Sequence, residues 1–154
     1  MRSSKTRIRF CMVLLCLNLI FIWGNSLMPG AVSDRISRWV GDLFGSVLDI
    51  PVNETEGGHG LLRKAAHFSE FACLGLLLCW RNGMAGRTGK DLAALTLLGG
   101  ITAACVDETI QIFAQGRNSS LADVWIDTCG AAAGMIFLIL GHYMIKHGKN
   151  HLED

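Results

Sequence analysis

Residues 92–113, LAALTLLGGITAACVDETIQIF, decide how this chain must fold. The stretch from Leu92 to Val106 holds no charged side chain. As a helix rising about 1.5 Å per residue, the whole run reaches about 33 Å, enough for a bilayer core of about 30 Å. A helix is also the one local structure that pairs every backbone group without water. The end of the run differs: Asp107, Glu108 and Gln111 stand there, with Asp107 and Gln111 four apart on one face. An apolar span with carboxylates at one end is the unit from which the rest is read.

Working outward, Gln115-Gly116-Arg117-Asn118-Ser119-Ser120 forms a short polar turn, and about 121–145 is a second apolar run carrying Asp123 and Asp127, again four apart. On the other side, Arg81 to Lys90 is a polar turn behind a run over about 65–80. That run opens Arg63-Lys64-Ala65-Ala66-His67-Phe68-Ser69-Glu70, where Lys64, His67 and Glu70 recur every three residues along one side of a helix. A first run, about 8–28, follows Arg2, Lys5, Arg7 and Arg9, and its end, Trp23-Gly24-Asn25-Ser26-Leu27-Met28-Pro29, makes a poor signal-peptide cleavage site, so it is expected to stay as a helix. Between the first two runs, Val32, Ile36, Trp39, Val40, Leu43, Phe44, Val47 and Leu48 fall at helical spacing with a polar opposite face. The spacing predicts an amphipathic helix in the membrane interface, capped at Ser33, stopped at Pro51, with Trp39 and Phe44 toward lipid and a glycine-rich loop over 53–60.

The expected fold is therefore all-α: an integral membrane bundle of four transmembrane helices with an outer interfacial helix between the first two, in one domain over 1–154. Composition agrees: of 154 residues, 51% are hydrophobic and 18% charged, and mean hydropathy is +0.37. A formal net charge of +1, without a basic stripe bearing interleaved aromatics, excludes nucleic acid as a partner. Cys11, Cys16, Cys73, Cys79, Cys105 and Cys129 lie in apolar runs without a metal-binding spacing and are expected to fill the core. No nucleophile elbow, phosphate-binding glycine loop or HExxH occurs, so the sequence specifies no catalytic residue, cofactor or metal.

Cytoplasmic loops retain Lys and Arg. With the N-terminus inside, nine positive residues fall on the inner segments and five on the longer outer ones, so both termini are expected to be cytoplasmic. Glu70, Asp107 and Asp127 then lie roughly 9 Å inward from the outer ends of their helices. Charge at mid-membrane costs at least about 2.5–3.5 kcal/mol, so these groups should face one another or a wet cavity. Arg63, Lys64 and Arg117 stand against Glu70, Asp107, Glu108, Asp123 and Asp127, a surplus of two carboxylates that protonation of a carboxyl group, protonation of His67 or a bound cation would relieve. Gly130-x-x-x-Gly134 suits close helix approach within the chain.

Together the motifs Lys64-x-x-His67-Phe68-x-Glu70-Phe71, Asp107-Glu108-x-x-Gln111, Gly116-Arg117 and Asp123-x-x-x-Asp127-x-x-Gly130 resemble the VanZ-like family. The segment Trp23-x-x-Ser26-x-x-Pro29 is similar to that family's opening helix, and the likeness covers roughly 8–141. Family proteins often carry Tyr after the Glu of the second span and Asn in place of Asp127; Phe71 and Asp127 depart from that pattern and alter the charge balance. The resemblance implies a multi-pass bacterial membrane protein in a family named for low-level resistance to the glycopeptide teicoplanin.

The expected function is recognition of the head group of a membrane lipid or lipid-linked envelope precursor at the outer leaflet. Arg63, Lys64 and Arg117 would hold an anion, while His67, Glu70, Asp107, Glu108, Gln111, Asp123 and Asp127 complete the polar cluster. Two other functions compete with it. One is an intramembrane enzyme with His67 or Glu108 as base and a divalent cation; the other is a proton-coupled transporter or helper subunit. In a purely structural reading, Lys64 and Arg117 merely neutralise Asp107, Glu108 and Asp127 to fix helix packing.

Overall fold

Long apolar runs leave the backbone one way to satisfy its own polar groups, and each regular element of the computed structural model, which describes residues 2–48 and 58–150, is an α-helix. In chain order these are α1 (Arg2–Ser26), α2 (Gly30–Leu48), α3 (Gly58–Met84), α4 (Gly89–Phe113) and α5 (Leu121–Asn150). α3, α4 and α5 contain the expected runs and extend past them, whereas α1 begins earlier than expected and ends at Ser26, two residues short of the expected bound. Three, α1, α4 and α5, contain stretches long and apolar enough to cross a membrane: Lys5–Ser26, Gly89–Phe113 and Leu121–Gly148. In α3 the apolar stretch is shortened by Lys64, His67 and Glu70 at one end and by Arg81 and Asn82 at the other.

α2 begins at Gly30, so Ser33 is not its cap; it lies in the first turn, where its backbone N–H donates to the Pro29 carbonyl at 3.1 Å. Val32, Ile36, Trp39 and Leu43 of α2 are all exposed. Pro51 and the Phe44 side chain lie outside the described residues, as does most of the expected loop, of which Gly58 and Gly60 already belong to α3.

α3 packs against each of the other four helices, most extensively against α5. Glycines make that approach: a Cβ built on Gly75 would meet the backbone of Ala131, and one on Gly130 or Gly134 would meet the carbonyls of Phe68 or Ala72. The Gly130-x-x-x-Gly134 stripe is thus used inside the chain. Between α1, α3 and α4 sits the apolar core, with Cys11, Leu15, Ile22, Phe71, Leu74, Ala103 and Ala104 at its centre.

Elsewhere the helices present Phe10, Leu17, Phe21, Leu98, Ile112, Phe137 and Ile145 outward. Between 17% and 33% of each apolar stretch is buried, which leaves faces that water would not tolerate and lipid would. The same outward apolar surface corrects the reading of the cysteines: Cys11 and Cys79 are buried, but Cys16, Cys73, Cys105 and Cys129 are exposed.

Candidate functional site

The end of the bundle where α1 and α4 finish and α3 and α5 begin gathers the polar residues. The α4–α5 turn sets their positions. Ala114 N–H donates back to the Gln111 carbonyl at 3.1 Å, and Gly116 adopts φ 73°, a left-handed conformation that glycine takes without cost. At the start of α5, the Ser120 hydroxyl accepts the Ala122 N–H at 3.1 Å, while Ser120 N–H donates to Glu108 Oε2 at 2.7 Å. One residue therefore caps α5 and ties it to α4. Replacing Ser120 by Ala removes the cap but keeps the backbone bond, and is expected to cost about 1 kcal/mol. Thermal unfolding of the detergent-solubilised protein should fall by a few degrees, and an unchanged midpoint would show that the cap contributes nothing.

Three buried side chains from three helices meet here. His67 Nδ1 of α3 lies 3.8 Å from Asp107 Oδ2 of α4 and 4.0 Å from Asp127 Oδ1 of α5. These separations exceed hydrogen-bond length. Asp107 is oriented by two donors, the Ser26 hydroxyl at 2.8 Å and the Gln111 amide at 2.9 Å, both directed at Oδ2. Asp107 Oδ1 and both oxygens of Asp127 are buried and accept no hydrogen bond. Glu70 stands beside the group, accepting at Oε1 from the Asn25 amide at 2.9 Å.

The electrostatics are severe. Two carboxylates with donor atoms within 4.8 Å of each other repel by about 3–4 kcal/mol even at an effective dielectric of about 20. A buried carboxylate without a donor adds a desolvation cost of several kcal/mol. Arg117 is the buried cation among the described residues, yet it is committed elsewhere: Nε donates to the Met28 carbonyl at 3.2 Å and Nη2 to that of Asn25 at 3.0 Å. Burial first, and Arg63 second, pull its pKa below the ordinary guanidinium value; Asp107, Asp34 and Glu108 oppose this. It remains charged, as guanidinium groups in proteins do.

Above the three residues opens a pocket lined by Arg63, Lys64, His67, Glu108, Gln111, Asp123, Ile126 and Asp127. Its enclosed free volume of about 10 Å³ holds one water or one bare ion, and a larger group would meet it at the rim. At its rim, Arg63 Nη1 lies 3.8 Å from Asp34 Oδ1 of α2, both partly exposed, and Lys64 is exposed.

The VanZ/LLP1 family model matches residues 10–142, most of the chain. The chain belongs to that family. No curated protein and no solved structure gave a match. As a VanZ/LLP1 protein with three long apolar helices, it is a membrane protein.

Of the ten residues singled out from the sequence, His67, Asp107, Gln111 and Asp127 converge on one point, with Glu70 and Glu108 adjoining and Arg63, Lys64 and Asp123 around the pocket. Arg117 is buried nearby and turned toward α1. Asn25 and Ser26 were missed as site residues. The available signal was their place as the last polar pair of an apolar run, facing a chain rich in carboxylates that need donors.

Proposed function

We propose that this VanZ/LLP1 protein binds the phosphate-bearing head group of a lipid or lipid-linked envelope precursor at the outer face of a bacterial cell membrane. In this reading α3 is a fourth span and α2 lies in the interface. α3 packs against four helices, so it need not be apolar all round, and its 27 residues reach about 40 Å. Lys and Arg asymmetry puts both termini in the cytoplasm. The tie to glycopeptide resistance implied by the family likeness then runs through the bound head group.

One observation carries the reading. Neighbouring residues of α3 line two unlike spaces: Arg63, Lys64 and His67 line the polar pocket, whereas Leu62, Ala65, Ala66 and Ser69 line an open groove of about 280 Å³ completed by Ile36, Ser37 and Val40 of α2. A ligand whose charged head is held at the rim of that pocket by Arg63 and Lys64, with an apolar tail in the groove, fits that pairing. Arg63 is available to it, because a partly exposed ion pair such as that with Asp34 contributes only about 0–1 kcal/mol and gives way to a bidentate phosphate.

Native mass spectrometry of the gently purified protein tests this. Anionic lipid should co-purify with the wild-type chain, and Arg63→Ala/Lys64→Ala should lower its retention at least about tenfold, a loss of about 1.4 kcal/mol. A control, Lys90→Ala at the start of α4 at the opposite end, should retain it. Equal retention in the double variant would exclude a head-group site at this rim.

A further inference from the structure

An anion site floored by carboxylates works only when something neutralises the floor, and the geometry of the floor names the class of that something. We infer that His67, Asp107 and Asp127 bind one divalent transition-metal ion of the Zn²⁺ or Mn²⁺ kind. The step in which this ion meets a head-group oxygen rests on the proposed recognition function, whereas the ion site itself rests on the geometry alone.

Each of the three residues offers one donor atom, and these atoms lie within 4.8 Å of one another. Donors bound to one tetrahedral ion at about 2.0–2.2 Å stand roughly 3.3–3.6 Å apart, so side-chain adjustments of up to about 1 Å close the set. Asp127 supplies an observation independent of the clustering. It is 1% exposed, and neither carboxylate oxygen has a hydrogen-bond donor. Buried carboxylates of this kind require a positive partner or a proton. Arg117 does not meet the need, since its observed hydrogen bonds go to the carbonyls of Asn25 and Met28.

Asp107 carries the arrangement of a supported ligand. Ser26 and Gln111 both hold Oδ2, the oxygen 3.8 Å from His67 Nδ1, which fixes the carboxylate plane, while Oδ1 is buried and unpartnered. Outer donors of this sort orient ligands in metal centres. One imidazole nitrogen with two carboxylate oxygens suits Zn²⁺ and Mn²⁺ better than Ca²⁺, which takes six to eight oxygen ligands. The pocket of about 10 Å³ beside His67 and Asp127 leaves a place for one water, or for one ligand oxygen, on the ion.

The test uses the full chain in detergent, stripped with a chelator and then titrated with Zn²⁺ and, separately, Mn²⁺. Bound metal is measured by elemental analysis and thermal unfolding is followed in parallel. One equivalent per chain is expected, with a rise in midpoint as metal is added. Asp127→Asn should bind at least about tenfold more weakly and lose the rise; Ser26→Ala, which keeps all three ligands, should weaken binding by about tenfold. Asp91→Asn, at the opposite end of α4, should behave as wild type.

Wild-type chain that takes up well under one equivalent of either metal, or Asp127→Asn that binds as tightly as wild type, would overturn the inference. The wild-type titration decides even where Asp127→Asn fails to fold. Measuring anionic lipid in the same samples separates the two proposals: metal bound without lipid retention leaves the ion site standing and defeats head-group recognition, whereas lipid retained by a chain that binds no metal does the reverse.

Discussion

Gly134→Val is expected to abolish the native packing of the bundle, lowering stability by more than about 3 kcal/mol. The site lies in the α3–α5 crossing, where a Cβ on Gly134 would collide with the Ala72 carbonyl oxygen and stand 2.7 Å from its carbon and 2.9 Å from Leu76 N. All three atoms are backbone. A flexible side chain would swing aside; a helix backbone moves only as a rod, so α3 and α5 must part. Overpacking where side chains absorb the insertion costs about 1–3 kcal/mol, and here that relief is missing while the loss spreads along the most extensive helix contact in the chain. Between membrane helices little hydrophobic drive restores the lost contact, since lipid solvates the parted faces as well as the partner did. Fluorescence-detected size exclusion and thermal unfolding in detergent should show heterogeneous, early-melting protein. Gly141→Val is the matched control: nothing lies within 4 Å of its Cβ position, and it should melt with wild type. Equal melting of the two variants would mean that α3 and α5 do not pack at this distance.

What could be read from residues alone followed what lipid demands of a chain. Apolar length marked four of the five helices, and a period near 3.6 marked α2, because those patterns answer to one solvent whatever the neighbours do. The ends were less legible. α2 starts at Gly30 because Pro29 offers its carbonyl to the first turn, a choice that nothing in the apolar spacing records. The cysteines depart from expectation for a physical reason: in a soluble chain an apolar neighbourhood implies the interior, but in lipid both sides of a helix are apolar, so Cys11 and Cys105 look alike in sequence and differ in burial.

The site was half legible for a related reason. Carboxylates are costly in a membrane, so Asp107 and Asp127 had to face inward, and equal depth along antiparallel helices brought them to one level with His67. Depth says nothing of partners. Ser26 and Asn25 supply hydrogen bonds from a helix more than 40 residues earlier in the chain, and their residue types are ordinary at the end of a span. Arg117 is the sharper case, since a guanidinium in a polar turn is equally suited to an external anion and to the carbonyls that end a helix.

Which of these it serves decides the second large effect. Arg117→Ala is expected to cost about 3–5 kcal/mol, since two hydrogen bonds from a charged donor contribute about 1.5–3 kcal/mol each. Two losses combine. The Asn25 and Met28 carbonyls, near the C-terminal end of α1 where helix carbonyls lack intrahelical donors, lose the Nη2 and Nε bonds. The carboxyl groups of Asp107 and Glu108 lose the one buried cation near them among the described residues. The corner between α1 and α2, which the Gly30 N–H bond to the Gln115 carbonyl at 2.9 Å also fastens to the α4–α5 turn, should then open. Insertion depends on the apolar runs and should be unaffected, so the variant should reach the membrane in normal amount but melt far earlier once solubilised. Arg117→Lys should recover part of the loss, because an ammonium keeps the charge but lacks the planar fork that serves two carbonyls at once. Should Arg117→Ala instead melt with wild type while losing co-purified anionic lipid, the guanidinium would belong to the head-group site and the corner would be held by its backbone bond alone.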